Sequence, residues 1–174
     1  MTITPILEYP DERLREHSKA VTEFGGPIDE LSENLIDTLY STEAVALSAP
    51  QIGSHQQALV FDLSPDRSAP QIFINPEITA KAAWGFVEES CLSLPDIKGS
   101  VLRATKVQVR AHRPDGSAFE EELSGMPAVC LQHEMDHLVG KLFIDKMSIF
   151  RRLSIRARTK ARLRTENQER HLTA

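Results

Sequence analysis

His133 and His137, with Glu134 between them, restrict the fold more than any other segment of this sequence. On an α-helix, residues four apart are separated by about 40° around the axis and roughly 6 Å along it, so both imidazoles can reach one metal ion. Glu134 projects from nearly the same face, where a carboxylate can take a proton from a metal-activated water. The pattern predicts a helix that carries half of a metal site. The alternative is a solvated helix that happens to carry two histidines.

The residues around this pattern favour a buried helix. Apolar residues lead in at 128–131 and lead out at Leu138 and Val139, and Gly125 and Gly140 mark the two ends. Buried histidines and acids need partners, which a metal ion supplies.

The remaining sequence predicts an α+β domain, with short antiparallel strands around this central helix and a further helix at the C-terminus. Apolar residues at three- and four-residue spacing predict a scaffold helix after Pro27, and the small residues at 44–53 predict a tight loop. Short segments rich in branched apolar residues predict strands at 58–63, 72–75, 78–81, 84–89, 101–111 and 117–123.

Composition places the chain among compact globular proteins. Its 174 residues are 41% hydrophobic and 26% charged, which suits one domain with a sizeable core. No early apolar segment follows a basic start, and no stretch approaches the roughly 18 apolar residues of a membrane span. We therefore expect a cytoplasmic protein with neither a membrane nor DNA as a partner. Cys91 and Cys130 are expected to remain unpaired thiols.

Charge is distributed unevenly along the chain. From Lys146 onward, nine Lys and Arg accompany two acids, a balance of +7 that leaves −12 for residues 1–145. We divide the chain into a catalytic domain at 1–147 and a basic C-terminal helix at 148–174, which is either part of that domain or an extension of it. The helix is expected to carry a narrow apolar stripe of Phe150, Leu153, Ala157 and Ala161.

A metal held by two histidines needs a third ligand and an open position for water. Cys130 lies about 7 Å along the helix from the level midway between the histidines, so it is expected to pack as a small hydrophobe. Cys91 can complete a Cys-His-His set if its strand lies beside the helix. Spacing alone leaves open that Cys91 is a free core cysteine.

Three segments together resemble the peptide deformylase family. Residues 44–51 are similar to its Gly-x-Gly-Leu-Ala-Ala-Pro-Gln loop, residues 89–93 to its Glu-Gly-Cys-Leu-Ser, and residues 132–138 to its Gln-His-Glu-x-Asp-His-Leu. Their order and spacing agree, and the resemblance runs from about Pro10 to Lys146. The family removes the N-formyl group from the initiator methionine of new bacterial or organellar polypeptides.

The resemblance implies that Cys91, His133 and His137 hold the metal and that Glu134 is the general acid and base. It also implies Fe(II) in the cell. The ligand types equally suit Zn(II), Co(II) or Ni(II).

The resemblance further implies donors for the oxyanion, which are the side-chain amide of Gln51 and the backbone N–H of Leu92. From the residues alone, the favoured interpretation of Gln51 is a loop glutamine that is capped by its own backbone.

The resemblance also implies residues that support the metal site and residues that bind substrate. Arg103 is expected to pair with Asp136 or Glu89 and so to hold the Cys91 strand against the helix, whereas the alternative is a surface arginine. The positions that line the family's methionine pocket are apolar here and could equally be plain core: Val45, Ala46, Val87, Met126, Val129 and Cys130.

Four positions around the reaction centre depart from the family pattern. Alanine replaces both motif glycines at Ala44 and Ala46, and serine occurs at Ser48 and Ser90. Because glycine serves positive φ or close backbone approach, an added Cβ can impede either. We therefore expect hydrolysis to survive, with reduced or altered substrate preference.

Two other functions compete with a deformylase. A zinc peptidase shares His-Glu-x-x-His, although Cys91 replaces its usual third ligand. A catalytically weakened relative would instead bind formylated peptides or ribosomes. The basic helix suits ribosomal RNA, which some deformylases contact, or is a solvated face that offsets the acidic body.

Overall fold

The computed structural model describes the backbone of residues 3–172 and the side chains of residues 3–162 and Thr165. Its centre is a five-stranded antiparallel sheet with the strands in chain order. The strands are β1 (Ala46–Ser48), β2 (Ala58–Phe61), β3 (Gln71–Cys91), β4 (Leu94–His112) and β5 (Ala118–Ser124). The helices are α1 (Pro27–Tyr40), α2 (Met126–Leu138) and α3 (Ile149–Leu172). The predicted α+β class is confirmed.

Strands β3 and β4 form one long hairpin, of 21 and 19 residues, that ends at Cys91 opposite Leu94. The prediction of short, separate strands at 72–75, 78–81 and 84–89 is therefore wrong. Asn75 and Pro76 suggested a turn, but the strand absorbs them as an irregularity in register between Ile74 and Glu77. Bulges of this kind insert a residue without ending the strand.

Helix α2 crosses the sheet as a largely buried element. It packs through Ala128, Leu131 and Leu138 against the buried faces of the central strands. After the helix, Gly140 adopts φ +65°, and a Cβ there would lie 2.2 Å from the Arg15 carbonyl oxygen. Only glycine fits this exit, because both its conformation and its surroundings exclude a side chain.

The predicted loop at 44–53 contains strand β1 followed by a short 3₁₀ helix, Ala49–Ile52. The N-terminal segment crosses this region as an extended arm. Its Leu7 N–H donates to the Gln51 carbonyl at 2.8 Å, and its Tyr9 N–H donates to the Ser93 carbonyl at 2.8 Å. The arm thereby ties the end of β1 to the tip of the long hairpin.

The C-terminal segment turns through the 3₁₀ helix Phe143–Lys146 before α3 begins at Ile149, one residue after the predicted start at 148. The predicted apolar stripe is exposed, with Phe150 82% and Leu153 52% accessible, and α3 packs instead through Ile155. The ends of the proposed divisions, residues 1–2 and 173–174, lie outside the described residues, as does the side chain of Arg164. In the described portion of the chain, none of the helices is both long and apolar enough to span a membrane.

Candidate active site

Cys91, His133 and His137 converge at the tip of the β3–β4 hairpin, where it meets α2. One donor atom from each lies within 4.8 Å of the others, and Cys91 Sγ is 3.3 Å from His137 Nε2. Atoms that bind one ion at about 2.0–2.3 Å are themselves roughly 3–4 Å apart. The three side chains therefore fit a single divalent metal ion. Cys130 does not belong to this group.

A buried ion-pair network orients the first histidine. His133 Nδ1 lies 2.7 Å from Glu89 Oε2, and because a carboxylate only accepts, Nδ1 carries the proton. Arg103 in turn donates to Glu89 at 2.6 and 3.0 Å and to Asp136 at 2.6 Å. Arg103 is 2% exposed and pairs with both expected acids, so it is not a surface arginine. Lys146 extends the network, with its Nζ 3.2 Å from Asp136.

Contacts within this network shift the pKa values of Glu89 and His133 against the effect of burial. Burial alone would raise the pKa of Glu89, but hydrogen bonds from Arg103 and His133 outweigh it and hold the pKa at about 2. Burial alone would lower the pKa of His133, and the contacts with Cys91 and Glu89 raise it well above its usual range.

Glu134 and His137 are two buried groups of this site that lack full hydrogen bonding. Glu134 is 3% exposed and His137 is 1% exposed. Neither Glu134 Oε2 nor His137 Nδ1 has a hydrogen-bond partner among the described residues. Burial raises the pKa of Glu134, and burial together with the positive field of His133 lowers that of His137 well below its usual range. A raised carboxyl pKa suits a group that must take up and release a proton.

Gln51 reaches the cysteine from the 3₁₀ helix after β1. Its Nε2 donates to Ser93 Oγ at 3.2 Å and lies 3.5 Å from Cys91 Sγ. Its Oε1 accepts from the backbone N–H and the hydroxyl of Ser48, at 2.9 and 3.0 Å. Gln51 therefore caps its own backbone and also directs its amide at the thiol. Leu92 occupies the hairpin turn directly after Cys91.

A cavity of about 790 Å³ opens beside these groups. Predicted pocket residues on its wall are Val45, Ala46, Met126, Val129 and Cys130. Burial raises the pKa of the Cys130 thiol to about 12, which keeps this wall uncharged. Val87 is not among the lining residues. It lies two residues, about 7 Å, before Glu89 along β3 and pairs with the buried Val101.

The backbone at the altered motif positions is unstrained. Among the described non-glycine residues, positive φ occurs at Arg67, Asn75, Ala83 and Asp96. Ala44, Ala46 and Ser90 therefore need no glycine for their conformation. The methyl groups of Ala44 and Ala46 pack against buried core residues and also border the cavity. At Ala44 and Ala46 the difference from glycine is therefore the space that a methyl group takes up at the cavity border.

Arg67 supports this wall from a distant loop, and sequence reasoning missed it. Its guanidinium donates to the carbonyls of Leu39, Thr42 and Ala44 at 3.0, 2.8 and 3.0 Å, and it lies over the Tyr40 ring at 5.5 Å. A lone arginine in a polar loop carries no periodic signal. Ser93 was also missed, although its place in the cysteine motif marked it.

The described fold and side chains define a class of enzyme. A cysteine and two histidines that can share an ion, beside a buried glutamate and an apolar cavity, are the equipment of a metal-dependent hydrolase. A sequence model of polypeptide deformylase matches residues 3–152. The chain belongs to the polypeptide deformylase family, whose members hydrolyse N-formylmethionyl peptides, and this confirms the expectation from the three motifs.

Solved structures agree with this membership. The peptide deformylase of Legionella pneumophila is 38% identical, covers 95% of this chain and 98% of its own, and superposes with a TM-score of 0.88. The peptide deformylase of Thermotoga maritima is 36% identical, covering 85% of this chain and 99% of its own at a TM-score of 0.80. Peptide deformylase 1B of Arabidopsis thaliana, solved with an inhibitor, is 34% identical over 95% of this chain and 93% of its own, with a TM-score of 0.85.

Proposed function

We propose that this enzyme removes the N-formyl group from the N-terminal methionine of newly made polypeptides and releases formate. The observation that carries the proposal is the buried Glu134 carboxylate, which has an unpartnered oxygen and lines the same cavity as Cys91 and His133. A zinc peptidase is disfavoured, because a cysteine supplies the third donor.

Cys91 Sγ, His137 Nε2 and, because Nδ1 is engaged by Glu89, His133 Nε2 would hold the metal. When bound, the ion would act as a Lewis acid that lowers the pKa of a water molecule and makes it nucleophilic. We favour Fe(II) in the cell, with Zn(II), Ni(II) and Co(II) as substitutes that the same donors accept. A thiolate donor also makes sensitivity to oxygen an expected property.

The remaining chemistry belongs to this chain's own residues. Glu134 takes a proton from the attacking water and delivers it to the leaving amine nitrogen as the formyl C–N bond breaks. Gln51 Nε2 and the Leu92 N–H donate to the carbonyl oxygen as its negative charge develops. Formate and a free amino terminus are the products. The Ser48 contacts with Gln51 Oε1 hold the amide in place before substrate arrives.

We assign the apolar wall of the cavity to the methionine side chain. Val45, Met126, Val129 and Cys130 offer a surface without charge, and Met126 is 53% exposed, which places it at the mouth. Ala46 borders the same space and would lie along the substrate backbone. Val87 is left out of this assignment because it does not reach the cavity.

Formate release from formyl-Met-Ala-Ser by iron-loaded protein prepared without oxygen tests the proposal. Glu134→Ala should retain the bound metal and lose about 10²–10⁴-fold in kcat, as expected for an essential acid and base. Glu88→Ala, at an exposed position on β3, is the control and should behave as wild type. Metal-loaded, folded wild-type protein that releases no formate would refute the proposal.

A catalytically weakened, peptide-binding relative is the second candidate. The Ala44 and Ala46 methyl groups at the cavity border favour it, because they narrow the space beside a substrate backbone. Removing Glu134 separates the two functions. A binding protein would keep its affinity and show no loss of turnover, whereas a hydrolase would lose nearly all of its rate.

We further propose that residues 1–147 perform catalysis in the cytoplasm and that the basic helix at 148–174 contacts ribosomal RNA. Exposed cations on α3, including Arg156 and Lys160, support the contact, and the free thiols of Cys91 and Cys130 support a reducing compartment. Ribosome pelleting at increasing salt compares wild type with Arg156→Gln/Lys160→Gln. The pair Lys106→Gln/Arg110→Gln, exposed on the sheet, is the control. Equal pelleting of all three proteins would remove the ribosome contact.

A further inference from the structure

A second cavity, of about 410 Å³, lies between α3 and the segment that follows the β3–β4 turn. We call it the cationic cleft. Its lining residues come from both of these elements and from Tyr9 of the N-terminal arm. None of these residues has a role in the chemistry derived above.

The cleft carries an excess of positive charge. Among the described side chains, Lys98, Arg151, Arg158 and Arg162 line it, against the single acid Asp96. Arg162 pairs with Glu8 at 3.4 Å, and Arg151 donates to the Lys98 carbonyl at 3.1 Å. Across the described residues, the Lys98 ammonium and the Arg158 guanidinium have no acidic partner. Unpaired cations in a concave site attract an anionic ligand.

The cleft adjoins the active-site cavity. Residues 94–98 line both spaces, so one segment of chain is their common wall. Glu8 lines the active-site cavity, and its partner Arg162 lines the cleft, so that this pair spans the boundary. A chain that leaves the active-site cavity past Glu8 and Lys98 enters the cationic cleft directly.

We infer that the cationic cleft binds acidic side chains of the substrate polypeptide, several residues after the formylated methionine. The inference rests on the proposed function, because it places the methionine in the active-site cavity. An extended peptide advances about 3.3 Å per residue, so residues beyond the second can cross the shared wall while the first stays in place. The enzyme would therefore have a lower KM for nascent chains that carry acidic residues at these positions.

A peptide suits the cleft better than a nucleic acid, because the cleft also has apolar walls. Ile97, Ile155 and Tyr9 line it together with the cations. Those walls can pack against the methylene groups of aspartate or glutamate, while Ser154 and Thr159 supply hydroxyl donors. Phosphate groups of RNA need cations alone and reach the outer face of α3 more freely.

A peptide series tests the inference. Formylated, C-terminally amidated heptapeptides carry one Asp at each position from three to seven, and each is compared with its Asn counterpart. At low salt, we expect Asp at the best position to lower KM two- to tenfold with little change in kcat, and 0.5 M KCl should largely abolish the difference. Lys98→Gln/Arg158→Gln should erase the preference, whereas the sheet pair Lys106→Gln/Arg110→Gln should keep it.

Equal KM values for every Asp and Asn pair, or equal loss of the preference in both double variants, would overturn the inference. A short RNA whose binding depends on Lys98 and Arg158, together with a flat peptide series, would also overturn it by giving the cleft a different ligand. Dissociation constants of the same peptides, measured with the Glu134→Gln variant, test the preference without turnover. Failure of the proposed function would differ, since formyl-Met-Ala-Ser, too short for the cleft, would then release no formate.

Discussion

His133 donates a hydrogen bond through Nδ1 to Oε2 of Glu89 over 2.7 Å. This one contact links the protein scaffold to the metal site. It fixes the tautomer of the imidazole, so that Nε2 is free for a metal, and Arg103 keeps Glu89 in place with two further hydrogen bonds. Hydrogen-bond partners of this kind orient a metal-binding imidazole and strengthen its affinity for the metal.

Replacing Glu89 with glutamine should weaken metal binding about 10–100-fold, because His133 loses its charged partner. The buried Arg103 loses a counter-charge as well, so the free energy of unfolding should fall by several kcal/mol. Competition with a chromophoric chelator measures the first effect and urea unfolding the second. The neighbouring Glu88→Gln, exposed on the same strand, is the control. Unchanged metal affinity in Glu89→Gln would contradict the assigned role.

Arg67→Gln should raise KM for formyl-Met-Ala-Ser about 3- to 10-fold while kcat changes less. The three carbonyls that Arg67 binds belong to the segment ending at Ala44, which borders the cavity on another element than Glu134. Loss of these hydrogen bonds should also cost about 1–3 kcal/mol of stability. Steady-state kinetics and metal content, with Arg110→Gln as the control, check this. A 3- to 10-fold loss in kcat with KM unchanged would contradict the role of Arg67 in positioning the segment that borders the substrate cavity.

Ala44→Gly and Ala46→Gly should each lower stability by about 0.5–1 kcal/mol, because neither position needs a positive φ and glycine adds unfolded-state entropy. Space at the cavity border increases at the same time. We therefore expect kcat/KM for formyl-Met-Ala-Ser to rise if the methyl groups obstruct the substrate backbone, with Ser90→Gly compared alongside. No rise in any of the three variants would show that the altered motif residues do not limit catalysis.

Asp62 should make stability depend on pH at the acidic end. Burial alone would raise its pKa, but hydrogen bonds from Ser64, Tyr40 and the Ala69 N–H outweigh burial and lower the pKa from 3.8 to about 2. A carboxyl group with a lowered folded pKa stabilises the protein above about pH 4, and this contribution is lost as pH falls through about 2. The shift corresponds to stability on the order of 2 kcal/mol.

Urea unfolding of wild type and Asp62→Asn between pH 2.5 and 7 measures this contribution. The difference in unfolding free energy between the two proteins should be constant above pH 5 and shrink below pH 4. Asp66→Asn, on the same loop, is the control. A difference in unfolding free energy that stays constant down to pH 2.5 would contradict the lowered pKa assigned to Asp62.

The helix with His133 and His137 could be predicted in type and position because helix geometry links residues four apart without help from the rest of the chain. The long β3–β4 hairpin could not be predicted. Asn75 and Pro76 have the composition of a turn, and only pairing with neighbouring strands converts them into a bulge. Val87, whose apolar character suited a pocket wall, is not among the residues that line the cavity.

Local pattern and motif therefore predicted the α+β class and selected Cys91, His133 and His137, which the fold brings together, and Glu134, which lines the adjacent cavity. Tertiary structure decided which side chains meet across the chain: the Arg67 hydrogen bonds to the segment at Ala44, the shared wall at 94–98, and the Glu8–Arg162 pair that joins two cavities. The physical reason is range. Helix spacing and turn chemistry act between near neighbours in sequence, whereas ion pairs and cavities form between residues that only the folded chain brings together.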